Sequence, residues 1–467
     1  MPRHPHRVKS STHSEELAIN PLFARNGEMS IPRYQLAEHG LLPDTAYQLV
    51  HDELTLDGNA RLNLATFVGT WMEPEAQKLY VEAADKNMID KDEYPQTAAI
   101  EDRCIRILAD LWHAPNPQES IGVSTTGSSE ACMLGGLALK RRWQRLRQAA
   151  GQDIERPNMV FSSAVQVVWE KFANYFEVEP RYVPVTPDRP YLTPEGVLEV
   201  VDDRTIGVVP VLGVTYTGVY EPVQAISQAL DHLQARTGLD IPIHVDAASG
   251  GFIAPFLHDE VVWDFRLHRV HSINASGHKY GLVYPGIGWA LWRNQEVLPS
   301  ELVFNVSYLG GSMPTFGLNF SRPGGQVLLQ YYNFLRLGRE GYYQVQKTCQ
   351  KVARVVAKAV SEMGPFEIIS DGTDLPVVAW RLKSGFEGHW TLDDLSHVLR
   401  ERGWQVPAYP LPPQMEDVTI MRVVVRNSFS MDLAHLLVND MGRAVAALSQ
   451  MDQPLPSVDR AEQPFHH

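Results

Sequence analysis

The chain has little of several things that would mark other classes of protein. Its 467 residues include only three cysteines, Cys104, Cys132 and Cys349. None sits at CxxC spacing, which excludes a disulfide framework and a cysteine-based zinc site and favours a reducing compartment, the cytoplasm. No run of about 18 apolar residues occurs, the length a helix needs to cross a bilayer. The opening "MPRHPHRVKSSTHSEEL" carries charge without an apolar stretch, unlike a secretory leader. Positive charge is in deficit: 41 Lys and Arg against 55 Asp and Glu leave a formal net charge of −14. That balance argues against nucleic acid or an anionic membrane as the main partner. Internal repeats and low-complexity tracts are absent from the sequence.

What is present is an ordinary globular composition, 44% hydrophobic and 21% charged, in a chain long enough for two or three domains. Residues 1–60 are polar and then mixed, and read as an arm. From 61 to 345, short Val- and Ile-rich runs alternate with longer amphipathic ones. The strand candidates are "NMVFSSA" (158–164), "TIGVVPVLG" (205–213), "IPIHVDAA" (241–248), "RVHSINAS" (269–276) and "GIGWALWR" (286–293). Helices are expected over 129–151 and 223–238, each ending at glycine. This alternation predicts βαβ units, a mainly parallel sheet, and ligands beyond the carboxyl ends of its strands. From 346 a helical run to 363 precedes "FEIIS", "PVVAWRL", a helix near 391–402, "VTIMRVVVR" and a helix near 432–450, a smaller α+β domain ending about 452. Residues 453–467 read as a mobile tail.

Two polar residues stand out at strand ends. Asp246 closes the apolar run of "HVDAASGGF", and Lys279 follows 33 residues later in "NASGHKYGLVYPG". Taken singly, the first reads as a turn cap and the second as a surface lysine. On neighbouring parallel strands they would share one rim of the sheet. A pyridinium cofactor needs that pair: an amine for its aldehyde and a carboxylate for its protonated ring nitrogen. "STTGSSEACMLGG" adds a place for a phosphate. Gly127 allows a tight turn, and Ser128 and Ser129 open a helix whose dipole favours anions.

In this order, "GSSEA", "HVDAASGG" and "SGHKYG" resemble the pyridoxal-phosphate enzymes of the aspartate-aminotransferase fold. More narrowly, the chain resembles the bacterial and plant glutamate decarboxylases, group II pyridoxal-phosphate decarboxylases. The resemblance runs through "HDELTLDGNARLNLATF", "KNMIDKDEYPQTAAIE", "GVTYTG", "ELVFNVSYLGG", "NFSRPGGQV" and "RGWQVPAY". It implies an α/β fold of type I with a seven-stranded sheet, a small α+β C-terminal domain and a helical N-terminal arm. It implies pyridoxal 5′-phosphate as cofactor and L-glutamate as substrate, decarboxylated to 4-aminobutyrate. Lys279 is then the Schiff-base lysine, with His278 beside it and Asp246 on the ring nitrogen. Gly127, Ser128, Ser129 and Ser276 hold the cofactor, with Ser321 from a neighbouring subunit. Ala248 lies under the ring, Gln166 covers its other face and Thr215 lies close by. Thr66 and the Phe67 N–H, with Asn87 and Asp90 of a partner chain, form the pocket for the distal carboxylate, and Arg422 is the substrate-carboxylate arginine. A homodimer is the minimum assembly, and the arm could tie dimers into a hexamer. No metal is implied.

Two departures and one regulatory expectation follow. Glu170 stands closer to the plant-type sequence, yet the tail lacks the Trp- and Lys-rich segment through which plant enzymes bind calmodulin, so calmodulin control is not expected. His4, His6 and His13 near one end and His466 and His467 at the other titrate in mild acid. In bacterial members a histidine near the C-terminus blocks the site at neutral pH. His467, or else His466, would take that role in an enzyme suited to acid resistance. The alternatives within the cofactor class are another amino-acid decarboxylase or a Cα–Cβ lyase of the sphingosine-phosphate type, which shares HKYG. A non-catalytic homologue is the third reading.

Overall fold

Seven short segments, most of them runs of Val, Ile and aromatic residues, join into one sheet. They are β1 (Ile121–Thr125), β2 (Asn158–Ser162), β3 (Glu179–Val183), β4 (Thr205–Val208), β5 (Ile243–Asp246), β6 (Val270–Ala275) and β7 (Gly288–Trp292). Their order is β1-β7-β6-β5-β4-β2-β3. Neighbours are parallel except at β7, which runs antiparallel to both β1 and β6. The computed structural model describes residues 35–36, 39–186, 189–306, 313–413 and 415–451. His4, His6, His13, His466 and His467, and with them the expected pH-sensing ends, lie outside the described residues.

Each of the five expected strand windows contains an observed strand. The windows missed β1 and β3, and both are edge strands. The edge tolerates Pro180, Glu179 and Arg181 in β3 because one side of the strand needs no ladder partner. The inner strands are buried on both faces, as a parallel sheet covered by helices requires. The helices expected from 129 and 223 occupy Ser128–Ala149 and Val223–Thr237.

After the two-stranded ribbon β8 (Phe304–Val306) and β9 (Met313–Thr315), a helix runs over Gly325–Glu362. The expected helix began at 346, so the expected boundary at 345/346 falls inside this element. The early part was illegible because Gly338 and Gly341 interrupt the pattern. Gly338 has φ 58° and ψ −170°, a conformation open essentially to glycine alone, and two helices meet across a kink there. Beyond it, β10 (Phe366–Asp371), β11 (Val377–Leu382), β12 (Ala408–Pro410) and β13 (Thr419–Val424) form an antiparallel sheet ordered β10-β11-β13-β12. The helices Leu392–Glu401 and Met431–Leu448 share with it a second core built on Trp380, Leu395, Val423 and Leu437.

The chain divides into two compact units, Met1–Gly58 and Asn59–His467. The described part of the first contains the helix Pro43–Leu54, whose Pro43 sets the φ of its first turn. No helix among the described residues is long and apolar enough to cross a membrane.

One buried ion pair fastens the large sheet to the segment ahead of the kinked helix. Arg322 Nη2 lies 3.2 Å from Glu101 Oε1, and both side chains are buried. The same oxygen accepts from the Ser124 N–H at 2.9 Å and from its hydroxyl. Glu101→Ala strands a buried guanidinium and two donors of β1. It is expected to lose about 3–5 kcal/mol of stability in urea unfolding. Glu101→Gln, which keeps an acceptor, should lose less. Unchanged stability in Glu101→Ala would contradict the role given to this pair.

Candidate active site

Along a strand, alternate residues share a face. On β5 these are His244 and Asp246, and on β6 they are Ser272 and Asn274. The register sets His244 opposite Ser272 and Asp246 opposite Asn274. A polar row therefore crosses an otherwise apolar sheet and ends at Asp246, which is 2% exposed. Asp246 Oδ1 accepts from Asn274 Nδ2 at 2.9 Å and from the Ala248 N–H at 3.1 Å. Its Oδ2 accepts from Trp169 Nε1 at 2.8 Å and from the Cys132 thiol at 3.7 Å. Burial, and then Asp246 itself, push the Cys132 thiol well above its ordinary range, so it stays an S–H donor. Four donors converging on two oxygens are what an ionised buried carboxylate needs.

Lys279 lies four residues beyond β6 and faces the same cavity as Asp246. Its amine is 3.2 Å from Ser249 Oγ and stands 5.1 Å from the centre of the Phe67 ring. Burial lowers its pKa, and Asp246 partly restores it. His278 beside it is drawn down to about 4 by burial and then by Lys279. Its Nδ1 accepts from the Gly286 and Ile287 N–H groups at 3.2 and 3.3 Å, so the neutral ring carries its proton on Nε2.

Opposite, Ser128 and Ser129 begin a helix whose first N–H groups receive no side-chain cap. Ser128 Oγ is 2.6 Å from Ser276 Oγ, which ties this helix start to the end of β6. Gly127 differs from expectation. Its backbone is extended, with φ 160° and ψ 171°, which any residue can adopt. A Cβ there would lie 3.1 Å from Cε1 of the His278 ring, a tight contact that the ring would have to yield to.

The small sheet contributes the second cation. Arg422 sits on β13, an inner strand, and is 7% exposed, so it is no solvated edge charge. Its guanidinium donates to the Thr215 and Ala65 carbonyls, and its Nε has no partner among the described residues. It lies 5.0 Å from the Phe67 ring centre and 5.5 Å from that of Tyr409. Phe67 is therefore within cation–π reach of both Arg422 and Lys279. Thr66 Oγ1 accepts from the Val68 N–H at 3.2 Å.

One cavity of about 550 Å³ is lined by Thr66, Phe67, Gly127, Ser128, Ser129, Gln166, Thr215, Asp246, Ala248, Ser276, His278, Lys279 and Arg422. Gln166 differs in its bonding: its side-chain oxygen caps the Val167–Tyr175 helix through the Val168 N–H at 2.6 Å. Asn87, Asp90 and Ser321 do not line this cavity. Asn87 and Ser321 meet elsewhere, with Asn87 Nδ2 3.4 Å from Ser321 Oγ, and Asp90 Oδ1 accepts from the Glu93 N–H at 3.3 Å. These are the residues expected from a second chain. Sequence reasoning passed over Trp169, Asn274, His244, Cys132 and Ser249. The one available signal was polar residues inside apolar strands, as in "IHVD" and "SINA".

The donor set fits pyridoxal phosphate. An uncapped helix start with two serines suits a phosphate, a buried carboxylate suits a pyridinium, and an amine of lowered pKa suits an aldehyde. The volume lies within the range of about 300–1,000 Å³ usual for small-ligand sites. Among the described residues no cluster of His, Cys, Asp or Glu is placed to hold a metal ion.

The comparisons with known proteins agree with that chemistry. The pyridoxal-dependent decarboxylase conserved domain matches residues 32–383. The glutamate decarboxylase of Aliivibrio fischeri is 54% identical over 418 residues, covering 89% of this chain and 90% of that protein. Glutamate decarboxylase beta of Listeria innocua is 49% identical over 442 residues, covering 94% and 95%. A solved glutamate decarboxylase of Lactobacillus brevis has a TM-score of 0.89 at 49% identity, covering 93% of this chain and 99% of that one. A sphingosine-1-phosphate lyase of Burkholderia pseudomallei, 21% identical with a TM-score of 0.75 and covering 89% and 93%, shares the fold. With the conserved domain and these relatives spanning most of its length, this chain belongs to the pyridoxal-dependent decarboxylase family.

Proposed function

We propose that this chain is a carboxy-lyase that releases the α-carboxylate of L-glutamate as CO2 and yields 4-aminobutyrate, with pyridoxal 5′-phosphate as cofactor. The observation that carries this reading is the cavity lined together by Asp246 at the end of β5, Lys279 in the turn after β6, and Arg422. When bound, the cofactor supplies a protonated ring that accepts the electrons of the breaking bond. Asp246 holds the proton on the ring nitrogen. Lys279 would hold the cofactor through its aldehyde, and its lowered pKa keeps more of it as the free amine. Ser128, Ser129 and Ser276, with Ser321 of a second copy, bind the phosphate beside Gly127. Ala248, Gln166 and Thr215 of the cavity wall would border the ring, and His278 holds a proton at Nε2.

Specificity for glutamate rests on the far end of the cavity. Thr66 and the Phe67 N–H, together with Asn87 and Asp90 of a second copy, receive the distal carboxylate, and Arg422 binds a substrate carboxylate. Fixing that end would orient the substrate's Cα–carboxylate bond for cleavage. Each turnover consumes a proton, so we read the enzyme as cytoplasmic and as serving acid resistance. The placement of Asn87, Asp90 and Ser321 away from their own chain's cavity supports a homodimer as the minimum, and the arm within residues 1–60 could join dimers into a hexamer.

The direct test is Lys279→Ala. One side chain at a cavity wall adds little to the core, so the variant is expected to fold. It should lack the absorption near ~420 nm of the cofactor-loaded protein and release no CO2 from L-glutamate. Turnover near wild type would rule the reading out.

For pH control we assign His467, or else His466, as the group that closes the site when neutral. An unperturbed histidine gains its proton below about pH 6.5, so the block should lift as pH falls through that value. Activity is expected to be highest near pH ~4–5 and to fall toward 7, steeply where linked subunits titrate together. A chain lacking residues 453–467 should keep activity and the loaded-enzyme spectrum at neutral pH. Identical pH–absorbance curves for the truncated and full chains would remove the tail from this role.

A further inference from the structure

The polar row behind Asp246 has a member that the proposed chemistry does not use. His244 is fully buried, two residues before Asp246 on the same face of β5. Its Nδ1 is 2.7 Å from Ser272 Oγ, and its Nε2 is 2.8 Å from Asn274 Oδ1. Its ring meets Trp169 edge-on at 5.2 Å. Both neighbours, Trp169 and Asn274, donate to Asp246.

The direction of every hydrogen bond in this row follows from the charge on Asp246. An ionised carboxylate only accepts, so Asn274 must present its amide N–H to it. That leaves the Asn274 carbonyl facing His244, and a carbonyl only accepts, so His244 carries its proton on Nε2. Nδ1 is then an acceptor, and the Ser272 hydroxyl donates to it. Burial holds the imidazole pKa down to about 4, so the ring is neutral near neutral pH. The row thus points its donors one way, from Ser272 through His244 and Asn274 to Asp246.

The covering helix has been shaped to admit this ring. Gly135 lies inside Ser128–Ala149, where glycine costs about 1 kcal/mol relative to alanine. A Cβ at that position would come within 2.3 Å of His244 Cε1 and 2.5 Å of Nδ1. An interior helical glycine needs a packing reason, and the His244 ring supplies one.

We propose that His244 is a positioning residue of the reaction: by donating from Nε2 to Asn274 it locks the amide with its N–H toward Asp246, and so keeps that carboxylate ionised for the cofactor's ring nitrogen. This rests on the assignment of Asp246 to that nitrogen. Without His244, the Asn274 amide is free to turn its carbonyl toward Asp246, which favours the protonated acid and weakens the ring's hold on its proton.

The test loads the full-length protein with pyridoxal phosphate carrying 15N in the ring and reads the protonation of that nitrogen by NMR, together with kcat and KM for L-glutamate. His244→Phe keeps a ring against Trp169 but loses both hydrogen bonds. It is expected to shift the signal toward the unprotonated nitrogen and to lower kcat about tenfold or more with KM little changed. His244→Gln, which restores a donor toward Asn274, should recover the protonated signal. A protonated ring with wild-type kcat in His244→Phe overturns the proposal. Asp246→Asn is the control: if the ring nitrogen stays protonated there too, the assignment of Asp246 falls, and this inference with it. Should His244→Phe fail to fold, wild-type protein labelled with 15N-histidine decides the matter. A proton on Nε2 of His244 supports the row, and a proton on Nδ1 overturns it.

Discussion

A carboxylate buried in the middle of a sheet is the constraint on which the rest of this site depends. Taking an ion out of water costs several kcal/mol unless hydrogen bonds replace its hydration. Asp246 has those bonds from four directions: a strand neighbour (Asn274), the turn it opens (the Ala248 N–H), the Ser128–Ala149 helix (the Cys132 thiol) and the Val167–Tyr175 helix (Trp169). Each donor comes from a different element, so the charge can be held only when β5, β6 and the two helices that carry Cys132 and Trp169 are all in register. The remaining compensation is Lys279, whose lowered pKa reflects burial more than it reflects the carboxylate.

The second organising feature is the Phe67 ring, which two cations approach. Lys279 lies 5.1 Å from its centre and Arg422 5.0 Å. An aromatic face is a weakly negative surface that a nearby cation can use without a formal counter-ion. It lets two positive groups share a cavity that must admit an acidic substrate and an anionic cofactor. Arg422 comes from the small antiparallel sheet and Lys279 from the turn after β6 of the large, mostly parallel one, so the cavity is completed only where the two sheets meet. The Arg422 bonds to the Thr215 and Ala65 carbonyls hold that junction.

How much of this could be read in the sequence follows the physics of each element. The Asp246–Lys279 pair was legible because carboxyl ends of parallel strands gather on one rim, and β5 and β6 are indeed neighbours. The reversed direction of β7 was not legible, since a strand's pattern is the same read either way. β1 and β3 escaped because edge strands need no apolar run. The Gly325–Glu362 helix was read short because Gly338 breaks its period while leaving the chain packed on both sides of the kink. Gly127 was assigned to turn geometry, whereas its backbone is extended and the His278 ring crowds the place of a Cβ. His244 and Asn274 were passed over because a polar residue in an apolar strand reads as solvent-facing. In a sheet covered on both faces such residues have only one another to bond.

The assembled account is that of a pyridoxal-dependent decarboxylase whose cavity selects L-glutamate, and its most direct test is chemical. The purified, cofactor-loaded full chain would be supplied in mild acid with a panel of L-amino acids and, separately, with a phosphorylated sphingoid base, and CO2 and aldehyde release would be followed. CO2 is expected from glutamate at a rate well above that from aspartate or any aromatic amino acid, with 4-aminobutyrate formed in equal amount and no aldehyde from the sphingoid base. Preference for an aromatic amino acid, or aldehyde release without CO2 from glutamate, would contradict it.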